Sequence, residues 1–248
     1  MLLYDYLKQY PRIAVAYSGG VDSSYLLYAA KAAGIDVRAY FIKSQFQPQF
    51  ELDDAIRLTD SLSIPLIVGR LDALSDLNVA KNPADRCYHC KNAIFSKLWE
   101  LARADGMSVL CDGSNADDDE SDRAGMKATK ELGVISPLRD CGLTKADIRR
   151  LSKEAGLETH DKPSYACLAT RIPTGTAITN ELLENTEAAE SALFGMGFTD
   201  FRIRLIPPDI AKVQMPESQW DIAAAQRTGI VSALQPYYNS VLLDMAPR

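Results

Sequence analysis

The sequence lacks a long apolar run, an excess of positive charge and any low-complexity tract. No stretch approaches the roughly 18–20 consecutive apolar residues that a membrane-spanning helix needs. Of the 248 residues, 27 are lysine or arginine and 33 are aspartate or glutamate, so the formal net charge is −6. We therefore expect no broad basic face for nucleic acid, although a local basic pocket is compatible with this charge. The composition, 47% apolar and 24% charged, excludes collagen, coiled-coil rods and intrinsic disorder.

Cysteines are few and odd in number. The chain has five, and two of them form the pair Cys87-x-x-Cys90. The residues after Met1 are Leu-Leu-Tyr-Asp, in which an acid interrupts the apolar run that a signal peptide would continue. We therefore expect a cytoplasmic protein with reduced thiols. In that setting a CxxC pair indicates metal, cluster or redox chemistry rather than a structural disulfide.

Short apolar segments alternate with amphipathic ones over the first 160 residues. In chain order, strands and helices are predicted at 12–17, 22–33, 36–42, 51–62, 64–68, 88–104 and 107–111. The helical segments carry apolar residues at three- and four-residue steps, whereas the strands are short and continuously apolar. This βαβα rhythm predicts an α/β fold, a parallel doubly wound sheet with helices on both faces.

The pattern changes after the turn-rich connector at 162–175. The elements predicted beyond it are a helix at 179–193, strands at 198–206 and 210–213, a helix at 223–234 and a strand at 240–244. The first two strands are close enough to pair as a hairpin, and the order is that of a small α+β domain. We therefore divide the chain into an α/β domain at 1–165 and an α+β domain at 166–248.

The segment Ser18-Gly-Gly-Val-Asp-Ser-Ser24 lies between the first predicted strand and helix. Gly19 and Gly20 permit a tight turn and close approach by a ligand. The free amides at the start of the following helix favour an anion. Asp22 can hold Mg²⁺ against phosphates, and further hydroxyl donors are supplied by Ser18, Ser23 and Ser24. No Gly-Lys-Ser/Thr follows, so this is not the P-loop of kinases. A bare Gly-Gly would indicate only a capped turn, but the full string predicts a nucleotide site.

This string resembles the PP-loop of the ATP pyrophosphatases. The resemblance implies that ATP is cleaved between its α and β phosphates, so that the target is adenylated and pyrophosphate leaves. It also implies the residues that bind pyrophosphate and magnesium, namely Ser18, Gly19, Gly20, Asp22 and Ser23.

Four further stretches narrow the resemblance. They are Asp85-Arg-Cys-Tyr-His-Cys-Lys91, Asp112-Gly-Ser-Asn-Ala-Asp-Asp118, Gly142-Leu-Thr-Lys145 and Asp161-Lys-Pro-Ser-Tyr-Ala-Cys-Leu-Ala-Thr-Arg-Ile-Pro173. Together with the glycine loop they resemble the LarE family of ATP-dependent sulfur transferases, which act in nickel-pincer nucleotide biosynthesis. The likeness covers nearly the whole chain. It implies a pyridinium dicarboxylate mononucleotide as substrate, whose carboxylate is first adenylated and then converted to a thiocarboxylate with a sulfide donor.

The resemblance assigns the central sulfur chemistry to Cys167. In single-cysteine members this residue gives up its own sulfur, but here Cys87 and Cys90 accompany it. Three-cysteine members hold a 4Fe–4S cluster through three thiolates, which leaves one iron open for an extra sulfide. The alternatives are a structural zinc site completed by His89 or Cys167, and a trio without a metal. Of the other cysteines, Cys111 ends an apolar strand and is expected in the core, and Cys141 has no visible partner.

Three polar residues are candidates for nucleotide binding besides the glycine loop. Lys91 follows the CxxC pair, and its place in the family motif implies a phosphate contact; an exposed helix lysine is the alternative. Asp112 and Asn115 follow a strand at the carboxyl end of the sheet, where open α/β sheets bind ligands. We expect Asp112 to orient the nucleotide or metal and Asn115 the adenylate, with a helix-capping turn as the alternative.

Four arginines are candidates for binding the anionic substrate. Arg171 follows Cys167 by four residues and can hold a phosphate or carboxylate. Arg202 and Arg204 share one face of a strand at a two-residue step and can clamp a phosphate, as a paired-Arg strand does in the family. Arg123 is the fourth, and surface ion pairs or a charged edge strand are the alternatives. By resemblance, Glu190 is a further metal candidate at an oligomer axis, and the family implies a hexamer.

Three other functions share part of these motifs. A tRNA thiolase also combines a PP-loop with three cluster cysteines, but it needs a basic surface or an RNA-binding module. An ammonia-using amide ligase of the GMP-synthetase kind would not need the cysteines. A nucleotide-binding sensor of iron or redox state would bind ATP without releasing pyrophosphate.

Overall fold

The computed structural model describes residues 2–118 and 123–246, with the backbone alone at 123 and 124. The chain forms two compact units. The first contains the chain up to Ala73 together with Asp85–Lys162. The second contains the short stretch Leu74–Ala84 and the chain from Pro163 onward. Residues 74–84, just before the CxxC pair, therefore belong to the second unit. The single boundary that the sequence analysis placed after residue 165 does not include this excursion.

The first unit is built on a four-stranded sheet. Its strands are β1 (Arg12–Ala16), β2 (Asp36–Lys43), β3 (Leu66–Arg70) and β4 (Leu110–Cys111). They lie in the order β3-β2-β1-β4, and every pair is parallel. Val15 of the central strand stands between Ala39 and Cys111, its partners on either side. The predicted parallel α/β architecture is confirmed.

Helices cover both faces of this sheet. They are α1 (Leu3–Leu7), α2 (Val21–Ala32), α3 (Gln49–Ser61), α5 (Arg86–Ala104), α6 (Arg123–Glu131), α7 (Pro137–Asp140) and α8 (Lys145–Glu154). The intervening helix, α4 (Leu77–Ala80), belongs to the second unit. Ile13 and Val15 pack into one apolar cluster with α2, whereas Ala14 packs into another with Leu98 of α5. Because neighbouring side chains on a strand point to opposite faces, both faces are buried, as a parallel sheet requires.

The fourth strand is shorter than the sequence predicts. An extended segment is expected at 107–111, but only Leu110–Cys111 forms β4. The Met107 amide still donates to the carbonyl of Ala102 at 2.8 Å, and Gly106 has φ +72°, so the chain is closing the last turn of α5. Only after this turn does the chain become extended. Cys111 is fully buried here, as expected, and burial raises the pKa of its thiol.

In the part of the chain that the structure describes, the second unit contains a three-stranded sheet and four α-helices. Its elements are α4 (Leu77–Ala80), α9 (Asn180–Gly195), β5 (Arg202–Ile206), β6 (Ile210–Gln214), α10 (Trp220–Ala225), α11 (Arg227–Leu234) and β7 (Ser240–Leu243). The antiparallel pairing of β5 with β6 confirms the predicted hairpin, and β7 adds parallel to β6. The single helix predicted at 223–234 is wrong, since α10 ends and α11 begins around Gln226. No helix among the residues that the structure describes has the length and apolar character to cross a membrane.

Candidate active site

The glycine loop turns at the carboxyl end of β1. Gly19 has φ +76°, a left-handed conformation that side-chain-bearing residues seldom adopt. The hydroxyl of Ser24 donates to the Gly20 carbonyl at 2.8 Å, and that of Ser23 to the same carbonyl at 3.3 Å. Ser18 lies with its hydroxyl 3.1 Å from that of Ser23. The serines thus shape the turn from within, and the first amides of α2 follow it.

The loop after β4 lies directly against this turn. A Cβ added at Gly113 would stand 2.8 Å from the backbone nitrogen of Ser23, so only glycine fits there without displacing the backbone. Next to it, the buried Asp112 carboxylate accepts hydrogen bonds from the Ser114 amide at 3.1 Å and from the Ser136 hydroxyl at 2.8 Å. Asp112 therefore fixes the course of this loop, and its predicted contact with nucleotide or metal stays a prediction.

Asp22 is the point at which three distant segments meet. Asn115, only 2% exposed, lies with its side-chain nitrogen 3.4 Å from the Asp22 carboxylate. The ammonium of Lys145 forms an ion pair with the other oxygen of the same carboxylate. Lys145 is the first residue of α8, where Thr144 and Asp147 form a capping box that sets the start of the helix. The structure therefore brings together a carboxylate, an amide and a cation beside the glycine turn.

Lys145 is a candidate phosphate ligand that the sequence analysis did not assign. It lies within the quoted Gly142–Lys145 stretch, yet its partner Asp22 is 123 positions away in the chain. A signal was present, because a lysine at the start of a helix opposes the helix dipole and is unusual without an anion nearby.

Lys162 is a second such residue. Its ammonium donates to the Gly19 carbonyl at 3.1 Å and to the Asp54 carboxylate at 2.7 Å. It also lies 5.9 Å from the centre of the Phe50 ring. Lys162 thus ties the glycine turn to α3 and places a positive charge beside it. The quoted Asp161–Pro173 stretch contains this lysine, but nothing in the sequence points to Gly19 as its partner.

The CxxC pair occupies the first turn of α5. Both Cys87 and Cys90 are half-buried, and the guanidinium of Arg86 lies 3.7 Å from the Cys87 sulfur. The side chain of Lys91 packs against Gly125 of α6, since a Cβ added at this glycine would lie 2.7 Å from the Lys91 side-chain carbons. The imidazole of His89 lies 3.4 Å from the Asp85 carboxylate. Lys91 is therefore held along a neighbouring helix, and its predicted phosphate contact stays a prediction.

In the second unit, Cys167 directly precedes a short turn that a buried ion pair stabilises. The turn is a 3₁₀ helix, Leu168–Arg171. Arg171, 1% exposed, donates to the Glu190 carboxylate at 2.8 and 3.1 Å and to the Ala166 carbonyl at 2.9 Å. Burial lowers the pKa of Arg171, but the hydrogen bond and charge of Glu190 outweigh it and raise the pKa overall. The guanidinium is thus a structural support of the Cys167 turn.

Glu190 is fully engaged as an acceptor. Besides Arg171, it receives the Ile203 amide at 2.9 Å and the Tyr165 hydroxyl. With 1% of its surface exposed, it is buried inside the unit rather than displayed at an axis. We therefore withdraw it as a metal candidate.

The paired arginines of β5 also contact the segment that carries Cys167. The Arg202 guanidinium donates to the Ser164 carbonyl and stacks 5.0 Å from the centre of the Tyr165 ring. Arg204 donates to the Thr170 carbonyl at 2.8 Å. Arg202 is buried and Arg204 exposed. Both arginines thus lie along the Cys167 segment, and their predicted clamp on a phosphate stays a prediction.

The remaining predictions concern metal binding and Arg123. The side chain of Arg123 lies outside the described residues. Across 2–118 and 125–246, no three histidine, cysteine or acidic side chains converge as a metal site would require. Cys87 and Cys90 belong to the first unit and Cys167 to the second. The three-thiolate set therefore stays a prediction.

Comparison with known proteins defines the class. A family model described as the tRNA methyl transferase HUP domain matches residues 11–68, the part of the chain that contains the glycine loop. The pyridinium-3,5-bisthiocarboxylic acid mononucleotide synthase of Lactiplantibacillus plantarum is 34% identical over 86% of this chain and 78% of its own length. An uncharacterized protein of Synechocystis is 33% identical over 88% and 81%. The tRNA-specific 2-thiouridylase of Pseudothermotoga lettingae is 27% identical over 61% of this chain and 54% of its own length.

The parallel sheet and the glycine loop, with these relatives, define an ATP-dependent sulfurtransferase of the PP-loop class. Identity of 34% across most of both chains narrows the class further. The chain belongs to the LarE family, that of the pyridinium-3,5-bisthiocarboxylic acid mononucleotide synthase.

Proposed function

We propose that this protein converts a carboxylate of a pyridinium-3,5-dicarboxylate mononucleotide into a thiocarboxylate at the expense of ATP, in the biosynthesis of a nickel-pincer cofactor. The observation that carries the proposal is the meeting of Asn115 and Lys145 at the Asp22 carboxylate, beside the glycine turn. The name of the relative from Lactiplantibacillus plantarum supports the choice of substrate.

The first step activates the carboxylate. A substrate carboxylate oxygen attacks the α phosphorus of ATP, the bond from that phosphorus to the bridging oxygen breaks, and pyrophosphate leaves with the electron pair. The turn at Gly19 and Gly20 and the amides of α2 receive the phosphates, and Lys145 and Lys162 supply positive charge where negative charge builds up.

Magnesium fits the residues at this site. Asp22 offers carboxylate oxygens that are only partly buried, with 19% of the side chain exposed. A Mg²⁺ ion held there would neutralise the departing pyrophosphate. We propose that Ser18, Ser23 and Ser24 keep the turn in the form that accepts the phosphates, while Asp112, Asn115 and Lys91 border the nucleotide.

The second step replaces the adenylate by sulfur. The sulfur nucleophile attacks the acyl carbon and the bond to the AMP oxygen breaks, which leaves the thiocarboxylate and AMP. Cys167 is the residue that we assign to this step, with Cys87 and Cys90 as its companions. All three are cysteines of intermediate exposure, and thiolates are the donors that iron–sulfur clusters take. A 4Fe–4S cluster on these thiolates would supply a sulfide at its open iron.

We propose two roles for the arginines: some hold the Cys167 segment in place, and others bind the substrate. Arg171 and Arg202 are buried and hold the Cys167 segment, so we propose that they act on the substrate chiefly by fixing that segment. Arg204 is the exposed member, and we assign it the anionic group of the substrate together with Arg123. We further propose that 1–165 performs adenylation in the cytoplasm, and that 166–248 serves sulfur transfer and homo-oligomer formation.

An anaerobic assay tests the proposal. The protein is incubated with the dicarboxylate mononucleotide, ATP, Mg²⁺ and a sulfide source, and the products are identified by mass spectrometry. We expect AMP, pyrophosphate and a product in which sulfur replaces one carboxylate oxygen. Pyrophosphate released without any sulfur-containing product, over a range of sulfide donors, would refute the assigned substrate chemistry.

The cluster is tested separately from turnover. Anaerobically purified protein should contain iron and acid-labile sulfide and absorb broadly near ~400 nm, as thiolate-bound clusters do. Replacing any one of Cys87, Cys90 or Cys167 by alanine should abolish the absorbance, whereas Cys141→Ala should not. A colourless wild-type protein without iron would refute the cluster. The remaining mechanism would be donation of the sulfur atom of Cys167 itself.

Thiolation of tRNA is a second candidate. The HUP-domain match and the 27% identity to a tRNA-specific 2-thiouridylase favour it. The net charge of −6 opposes it, because RNA binding draws most of its free energy from phosphate contacts. Transfer of labelled sulfur to bulk tRNA, but not to the mononucleotide, would establish this function instead.

A further inference from the structure

The ring of Tyr165, two residues before Cys167, contacts two buried guanidinium groups. The carbon at the centre of the Arg171 guanidinium lies 4.6 Å from the centre of the ring, and that of Arg202 lies 5.0 Å from it. The two arginines are only 1% and 4% exposed. Guanidinium groups stack favourably on aromatic rings, and the attraction is stronger where water is excluded. The ring therefore binds two cations that are themselves fixed inside the second unit.

The same two arginines hold the peptide carbonyls on either side of Tyr165. Arg202 donates to the carbonyl of Ser164, and Arg171 donates to that of Ala166 at 2.9 Å. Each guanidinium thus contacts both the ring of the tyrosine and a neighbouring peptide group. Because ring and backbone share these partners, displacing the ring should also displace the backbone that leads into the next residue, the cysteine.

The hydroxyl of Tyr165 adds a third attachment. It donates to the carboxylate of Glu190, whose side chain is 2% exposed. The same carboxylate accepts from the Arg171 Nε at 2.8 Å and from the Ile203 amide at 2.9 Å. Hydrogen bonds to a buried charge are among the stronger ones in proteins. The hydroxyl therefore joins the tyrosine to the ion pair that stabilises the Cys167 turn.

We propose that Tyr165 is a positioning residue for sulfur transfer, which fixes the stretch of backbone that enters Cys167. The inference rests on the proposed function for the role of this cysteine. All the contacts named here lie within the second unit, whereas Asp22 and Lys145 belong to the first. We therefore expect adenylation to survive the loss of the tyrosine, while the sulfur step slows, because rate depends steeply on the placement of reacting groups.

Two substitutions separate the ring from the hydroxyl. Tyr165→Phe keeps the ring over the guanidiniums but loses the hydrogen bond to Glu190, and Tyr165→Leu loses both. The matched control is Tyr237→Leu, the same change at a half-buried tyrosine of the same unit. In Tyr165→Leu we expect kcat for thiocarboxylate formation to fall at least about tenfold, with the KM for the mononucleotide and single-turnover pyrophosphate release within about twofold of wild type. Tyr165→Phe should lie between the two.

Hydrogen exchange of the full-length protein provides a readout independent of catalysis. In the Cys167 turn, the Thr170 amide donates to the Cys167 carbonyl at 2.9 Å, and the Ile172 amide donates to the Ala169 carbonyl at 3.4 Å. Mass spectrometry of peptides spanning 164–172 should show exchange at least about fivefold faster in Tyr165→Leu, and unchanged exchange in Tyr237→Leu. Peptides spanning 210–214 of β6 serve as the internal reference.

Several results would overturn the inference. They are wild-type exchange at 164–172 in Tyr165→Leu, a parallel loss of pyrophosphate release, and an equal fall of kcat in Tyr237→Leu. Trp220 fluorescence in a Trp99→Phe background shows whether the second unit stays folded. If Tyr165→Leu unfolds that unit, Tyr165→Phe decides, and a wild-type kcat there overturns the inference. If exchange follows the prediction but no protein forms thiocarboxylate, Tyr165 still fixes the segment and the proposed function fails.

Discussion

The two units hold their candidate residues in different ways. In the first, Asp22, Asn115, Lys145 and Lys162 come from separate parts of the chain and meet through single contacts beside the glycine turn. The side chains of Asp22 and Lys145 are 19% and 32% exposed. In the second, the Cys167 turn rests on Arg171 and Glu190, whose side chains are 1% and 2% exposed.

Because of this difference in burial, Asp22 and Lys145 can exchange each other for a ligand, whereas Arg171 and Glu190 stay paired. A partly exposed ion pair contributes little to stability, so phosphate or Mg²⁺ can compete for Asp22 and Lys145 at small cost. A buried pair is different, because removing one partner leaves an uncompensated charge in the interior. The first unit is thus suited to bind and release a ligand, and the second to keep one segment fixed through each turnover.

The largest effect is expected from the first unit. Asp22→Ala should lower the rate of pyrophosphate release about 10³-fold, because Lys145 and the proposed Mg²⁺ ion lose their common carboxylate. Pyrophosphate is measured by a coupled assay, with Asp53→Ala on the exposed face of α3 as control. Unchanged release in Asp22→Ala would remove Asp22 from the site.

The next largest effect concerns the stability of the second unit. Arg171→Met should destabilise it by about 3–5 kcal/mol, because Glu190 is left buried and unpaired. The exposed Arg204→Met should cost about 1 kcal/mol or less. In a Trp99→Phe background, Trp220 is the remaining tryptophan and reports urea unfolding of this unit.

Two outcomes sharpen that test. Adding Glu190→Leu to Arg171→Met should restore part of the loss, since both charges are then removed. Equal, small losses for Arg171→Met and Arg204→Met would show that the buried pair is not what holds the Cys167 turn.

A smaller effect is expected at Lys162. Lys162→Met should raise the KM for ATP about tenfold and change kcat less, because it loosens the glycine turn, which we propose receives the phosphates. Lys162→Arg should recover most of the loss, whereas Lys153→Met on the exposed face of α8 should have none. A fall in kcat alone would indicate a role other than positioning the turn.

The smallest effect is a pH dependence at the edge of the second unit. Hydrogen bonds from Lys212, Gln214 and the Ala246 amide lower the pKa of Asp244 from 3.8 to about 2. Because the folded pKa is the lower one, the stabilisation is present above pH 3.8 and is lost as the pH falls toward 2.

Thermal unfolding followed by Trp220 fluorescence in the Trp99→Phe background, between pH 5 and pH 2, measures this contribution. Asp244→Asn should remove the part of the acid sensitivity that this carboxyl causes, and Asp221→Asn, exposed on α10, should not. Identical pH profiles for wild type and Asp244→Asn would contradict the assignment.

Local signals predicted much of the fold and of the glycine loop. The turn at Gly19 needs a residue that adopts positive φ, and Thr144 and Thr179 cap their helices with contacts confined to a few positions. The strand predicted at 107–111 is longer than the observed one, because the closing turn of α5 extends to Met107. This limit is set by a local hydrogen bond at the end of the helix, and Gly106 with its positive φ was the sequence signal for it.

Residues with distant partners were the ones that sequence reasoning missed. Lys145 pairs with Asp22 and Lys162 with Gly19, across 123 and 143 positions. Asn82 meets Pro173 across 91. A lysine inside a motif indicates a role, but its partner is decided by how parallel strands and loops converge. The burial of Arg171 and Glu190 was likewise not predicted from the sequence, because charged residues are usually exposed.

The division of labour between activation and sulfur delivery is tested most directly in one anaerobic reaction of Cys167→Ala. Pyrophosphate and thiocarboxylate are quantified in the same sample, with Cys141→Ala as the matched control. Pyrophosphate release within about twofold of wild type, with no thiocarboxylate, is the predicted result. Thiocarboxylate at the wild-type level would contradict the assignment of sulfur transfer to Cys167.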